Sequence, residues 1–113
     1  YKVMVDYAHT VNSIYKLLSF INSLNYSSVY VVVGQEGEIN KFRRSSVGEI
    51  VVKNSTYAIF TSDDNRSEDP NDIIKDITAN IKEYSNYEVI LDRDDAIKKA
   101  INMAKYNAAV ATI

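Results

Sequence analysis

The chain has 113 residues, enough for one domain around one core, and its 46% apolar and 25% charged residues are ordinary for a globular protein. A net charge of -2 and a pI near 5.3 leave no overall basic footprint for nucleic acid. Cysteine is absent, which excludes disulfides and thiolate metal sites, and no apolar run reaches the roughly 18 residues that a bilayer span requires.

Tyr1 to Asp6 reads as a short strand, and its run of Val3, Met4 and Val5 predicts a strand covered on both faces. Thr10 is placed as a helix N-cap, followed by Ile14, Leu17, Leu18, Ile21 and Leu24 at helical spacing, with the helix ending near Asn25. Ser28 to Gly34 is β-branched and reads as a buried strand. A polar loop from Gly34 to Phe42 leads into a short helix, Arg43 to Lys53, with Val47, Ile50 and Val51 inward. Thr56 to Ser62 is the third strand.

Asp69 caps the next helix with Pro70 at its first position, where a missing N–H is harmless, and Ile73, Ile74, Ile77 and Ile81 line its buried face. Tyr87 to Leu91 is the fourth strand. Asp92 caps a last helix carrying Ala96, Ile97, Ala100, Ile101 and Ala104, and Ala108 to Ile113 is the fifth strand. Strands alternating with helices predict an α/β, Rossmann-like three-layer sandwich, a mostly parallel sheet with helices on both faces.

In such a sheet the C-terminal strand ends share one edge. Three polar clusters then meet there: Asp6 to Thr10, Gly34 to Lys41, and Asp63 to Arg66. That edge is the expected ligand site.

Val5-Asp6-Tyr7-Ala8-His9-Thr10 resembles the Val-Asp-Tyr-Ala-His-Thr-Pro signature that opens the C-terminal domain of the Mur ligases, in the branch that makes UDP-N-acetylmuramoyl-tripeptide. Thr61 to Pro70 is similar to that branch's Asp-Asn-Pro-Arg segment and the Ser/Thr-Glu-Asp/Glu-Pro after it. Asp92-Arg93-Asp94-Asp95-Ala96-Ile97 resembles its Asp-Arg-x-x-Ala-Ile helix start. The spacing between them matches, so the resemblance covers the whole chain.

The resemblance implies a cytoplasmic, ATP-dependent ligase of peptidoglycan precursor synthesis. ATP and Mg2+ would activate the carboxylate of a UDP-N-acetylmuramoyl-dipeptide as an acyl phosphate, which the amine of a diamino acid attacks. It implies three domains: an N-terminal UDP-binding domain, a central ATPase domain holding the phosphates and Mg2+, and a C-terminal domain that docks the amino acid. Residues 1–113 correspond to the last of these alone, as a single domain inactive in isolation. The family's Gly-Lys-Gly-His-Glu segment would follow Ile113, which makes the chain a piece cut at its C-terminal end.

Carried over residue by residue, the resemblance assigns Asp6, Tyr7 and His9 to nucleotide contact, with Lys41 able to reach a phosphate. For Asp6 the residues alone also allow a helix cap, for His9 a purely structural role, and for Lys41 plain solvent exposure. Asp63, Asp64 and Arg66 fall to the amino-acid substrate. Arg66 matches the arginine that diaminopimelate-adding members aim at the distal carboxylate, while a surface ion pair with Glu68 or Asp69 is its alternative. Ile39 replaces an arginine that helps hold the amino acid, Glu36 and Phe42 replace glycines, and Asp64-Asn65 replaces Asn-Pro, so amino-acid binding is expected to be altered. No catalytic residue and no metal ligand is assigned. The rival readings are a divergent paralogue with another substrate, a phosphoacceptor signalling domain using Asp6 and Asp63, and a structural module without a ligand.

Overall fold

The structure is a computed structural model that describes all of residues 1–113. In chain order it contains β1 (Lys2–Val5), α1 (Val11–Ser23), β2 (Ser28–Val33), a 3-10 turn (Lys41–Arg43), α2 (Arg44–Lys53), β3 (Tyr57–Phe60), α3 (Pro70–Ile77), β4 (Tyr87–Val89), α4 (Arg93–Met103) and β5 (Ala108–Thr112). All four strand pairings are parallel, in the order β1-β5-β2-β3-β4.

The order dictates the layers. The first three crossovers step the same way along the sheet, so right-handed connections put α1, α2 and α3 on one face. The step from β4 back to β5 runs the other way and puts α4 on the opposite face. Side chains follow with a period of two. Val29, Val31, Val33, Ala58, Phe60, Ala109 and Ala111 pack toward the three helices, where Ile14, Leu18, Ile21, Val47, Val51, Ile73, Ile74 and Ile77 meet them. Val32, Ile59 and Val110 point the other way, onto Ala96 and Ala100 of α4. Gly48 lets α2 and α3 touch, since a Cβ there would stand 2.0 Å from the Ile77 carbonyl oxygen.

Three expectations change. β1 is an edge strand, not one covered on both faces: Val3 is 42% and Val5 71% exposed, because α4 packs mainly over β2, β3 and β5. Only Met4 packs against the three-helix core. The third helix stops at Ile77, where the Thr78 hydroxyl bonds the Ile74 carbonyl at 2.9 Å, and Ile81 is buried from the following turn instead. Ala104 closes α4 as its C-cap rather than extending its stripe. No helix is long and apolar enough to cross a membrane.

Candidate functional site

Because the sheet is wholly parallel, the loops after β1, β2, β3 and β4 share its C-terminal edge, together with Ile113. A cavity of about 400 Å3 opens there, lined by Val5, Asp6, Tyr7, His9, Glu36, Asp63, Arg93, Thr112 and Ile113. The Asp6 N–H continues the sheet ladder onto the Thr112 carbonyl at 3.0 Å, which fixes the strand end and leaves its carboxylate exposed. The capping alternative for Asp6 is overturned. Thr10 caps α1 through a reciprocal pair, its hydroxyl accepting the Ser13 N–H while Ser13 Oγ accepts the Thr10 N–H, both at 3.1 Å. His9 and Tyr7 are exposed at the mouth.

Arg93 was not anticipated in this cavity. It occupies the first position of α4, where a cation meets the positive end of the helix dipole. Two carbonyls offset that: Nε donates to Ser62 at 3.2 Å and Nη2 to Ile113 at 3.1 Å. The guanidinium therefore ties the loop after β3 to the end of β5.

The second and third polar clusters are clasped to each other. The Glu38 carboxylate accepts the Ser67 N–H at 2.7 Å, and Glu68 accepts the Glu38 N–H at 2.8 Å. Gly37 donates to the Asp64 carbonyl at 2.8 Å, at an approach so close that a Cβ would lie 1.9 Å from the Asn65 oxygen. Beneath the clasp lies Arg44, fully buried. Its Nη1 and Nη2 grip both Glu68 oxygens at 2.7 and 2.8 Å, and it also donates to Asp76 at 2.9 Å and the Glu36 carbonyl at 3.1 Å. The Arg44 hydrogen bonds, followed by the Glu38 N–H, pull the Glu68 carboxyl down to about 2. The Ser67 N–H lowers Glu38 in the same manner, and the Glu68 hydrogen bond raises Arg44.

Arg66 stands above this clasp. Its backbone is left-handed at φ 54°, held by the Asp64 carboxylate accepting the Arg66 N–H at 3.1 Å. Its side chain pairs with neither Glu68 nor Asp69, as the ion-pair alternative had it. Glu68 is taken by Arg44 and Asp69 caps α3, so Arg66 Nη2 meets Glu36 at 3.1 Å.

The edge thus gathers Asp6, Tyr7, His9 and Asp63 in one cavity, with Asp64 and Arg66 on the adjoining loop. Lys41 does not join the cavity: it lies 60% exposed, 3.9 Å from Glu68, beside a second hollow with Phe42, Ser45, Asp76 and Ala79. Glu36, Arg44 and Arg93 were missed as site-building residues. A signal existed for Arg44, which falls on the apolar stripe of its helix with Val47, Gly48 and Val51.

This is an α/β domain with a carboxylate-rich cleft at the strand ends, the place where open sheets of this kind bind ligands. The family "Mur ligase, glutamate ligase domain" matches residues 1–113, and the chain belongs to that family. It is 41% identical over 106 residues to the UDP-N-acetylmuramoyl-L-alanyl-D-glutamate--2,6-diaminopimelate ligase of Oceanobacillus iheyensis, covering 93% of this chain and 22% of that one. The ligase of the same name from Halalkalibacterium halodurans is 44% identical over 105 residues, covering 93% and 21%. The chain therefore spans about a fifth of the length of the curated relatives it matches. A solved structure of a ligase with this name superposes with a TM-score of 0.91 at 27% identity, over 97% of this chain and 23% of that one. A murein peptide ligase from Psychrobacter arcticus shares the fold, with a TM-score of 0.68 at 16% identity over 98% of this chain and 24% of its own.

The signalling alternative is overturned by the same facts. A flavodoxin-like order, 2-1-3-4-5, seats β1 in the sheet interior beside β3. Here β1 is at the edge, with β5 and β2 between it and β3.

Proposed function

We propose that residues 1–113 form the C-terminal domain of an ATP-dependent ligase that joins 2,6-diaminopimelate to a UDP-N-acetylmuramoyl-dipeptide during peptidoglycan synthesis. The observation that carries this reading is Arg66: a half-exposed guanidinium on a rigidly clasped loop, beside a cavity lined by Asp6, His9 and Asp63. A planar, permanently charged fork suits the distal carboxylate of diaminopimelate, which lysine lacks. Asp63 and Asp64 supply carboxylates nearby for its ammonium groups.

In this reading the Asp6 side of the cavity meets the nucleotide. Three carboxylates, Asp6, Glu36 and Asp63, face one guanidinium and one imidazole there. That balance repels phosphate and suits ribose hydroxyls, which can donate to Asp6, with His9 and the Tyr7 ring at the rim. Bound ATP supplies the phosphoryl group that turns the dipeptide carboxylate into an acyl phosphate. In this reading the phosphates and the metal are held by a central ATPase domain, and the UDP-sugar by an N-terminal domain. Lys41, outside the cavity, could reach a phosphate only from across the clasp, so Asp6, Tyr7 and His9 form the better-supported nucleotide set.

The full-length parent enzyme provides the test. ATP-dependent phosphate release is measured with UDP-N-acetylmuramoyl-dipeptide and, in turn, meso-diaminopimelate, lysine or no amino acid. Release that requires diaminopimelate is expected. Release supported by lysine alone, or by neither, would overturn the substrate and leave a paralogue whose change at Ile39 marks a different amine.

A further inference from the structure

We propose that Glu36 tempers the affinity of the amino-acid site by occupying Arg66 until the distal carboxylate of the substrate displaces it. This deepens the reading above and rests on it.

The pair has the geometry of an exchangeable contact. Arg66 offers Nη2 alone to Glu36, at 3.1 Å, and its Nε and Nη1 make no hydrogen bond within the chain. The two side chains are 43% and 28% exposed, so water and ligands can reach both. A free carboxylate could take two nitrogens of the fork at once, a stronger and more directional arrangement than the single contact Glu36 makes. Glu36 is also the only glutamate of these loops able to play this part. Glu38 is spent on the Ser67 N–H, and Glu68 on Arg44 and the Glu38 N–H. The carboxylate of Glu36 has no partner except Arg66, while its backbone is anchored, the carbonyl by Arg44 and the neighbouring Gly37 N–H by Asp64. The side chain can therefore leave without disturbing the loop.

The consequence is a cost confined to ligands that carry a distal carboxylate. A dicarboxylate brings the group that replaces Glu36. Lysine, whose one carboxylate is the α-carboxylate, brings no distal one and leaves the Glu36–Arg66 pair closed. Glu36 thus holds Arg66 in place, shields its charge, and lowers the affinity of a dicarboxylate by the strength of one exposed ion pair.

The test uses two readouts. In the parent enzyme, Glu36→Gln should lower the KM for meso-diaminopimelate by about two- to fivefold, the factor an exposed pair can withhold. The gain should vanish in an Arg66→Ala background, which a merely structural role for Glu36 would not produce. Independently, binding of meso-diaminopimelate to the full-length parent enzyme is titrated by calorimetry, for the wild type and Glu36→Gln. Tighter binding by the variant in the same range is expected. Binding of equal or lower strength in the variant overturns the role of Glu36 while leaving the substrate intact. Absence of binding to either form, together with a parent enzyme indifferent to diaminopimelate, overturns both.

Discussion

Arg44 and Arg66 lie on the two clasped loops' flanks and each meets a glutamate from the opposite segment, yet their settings are opposed. Arg44 is sealed, grips Glu68 with both terminal nitrogens, and adds Asp76 and a backbone carbonyl. Arg66 is exposed and touches Glu36 through one nitrogen. A buried charge left without its partners is heavily penalised, whereas an exposed pair is worth little. The first arrangement holds the loops; the second leaves a cation available. Identical residue types, paired with identical residue types, are locked in place or left available according to burial and the number of contacts.

Breaking the architectural side should give the largest stability effect. Arg44→Met removes four hydrogen bonds from the interior and strands Glu68, so it should lower unfolding free energy by about 3 kcal/mol, read from the denaturant midpoint. Gly48→Ala should follow at about 1–3 kcal/mol, because its Cβ would collide with the backbone of α3 and the helices must separate. Arg66→Ala should change stability by less than about 0.5 kcal/mol in the same assay. A large loss there would erase the contrast between the two arginines.

Acid sharpens it further. Glu68 is held at about 2 in the fold against an ordinary 4.5. A depressed folded value stabilises above the unfolded one and is lost as pH falls. Glu68 therefore contributes fully above pH 4.5, and its contribution disappears between about 4.5 and 2. Glu68→Gln should flatten the loss of stability across that window, measured as thermal midpoint against pH. An unchanged slope would mean that Arg44 does not hold Glu68 as a carboxylate.

The sequence made the elements readable because apolar spacing separates strands from helices, and Thr10, Asp69 and Asp92 each cap the helix they precede. Sheet order was not readable. Nothing local tells β1 to pair with β5, so the exposure of Val3 and Val5 appears only once α4 is placed. The site was half legible. Asp6, His9 and Asp63 converge because parallel strands deliver their ends to one edge. The placement of Glu36, Glu38 and Arg66 depends on loop backbones with positive φ at Glu38, Asn40 and Arg66, none of them glycine, and no spacing rule anticipates such turns. Arg44 was legible in principle, as a charge on an apolar stripe.

The central claim is that Arg66 binds the distal carboxylate of the incoming amino acid. It is tested most directly by steady-state kinetics of the full-length parent enzyme and its Arg66→Ala variant, with meso-diaminopimelate varied. Loss of a charge-assisted contact worth about 1.5–3 kcal/mol should reduce kcat/KM by about 10- to 150-fold, with the folded state unimpaired. An unchanged kcat/KM for diaminopimelate in the variant would contradict the account.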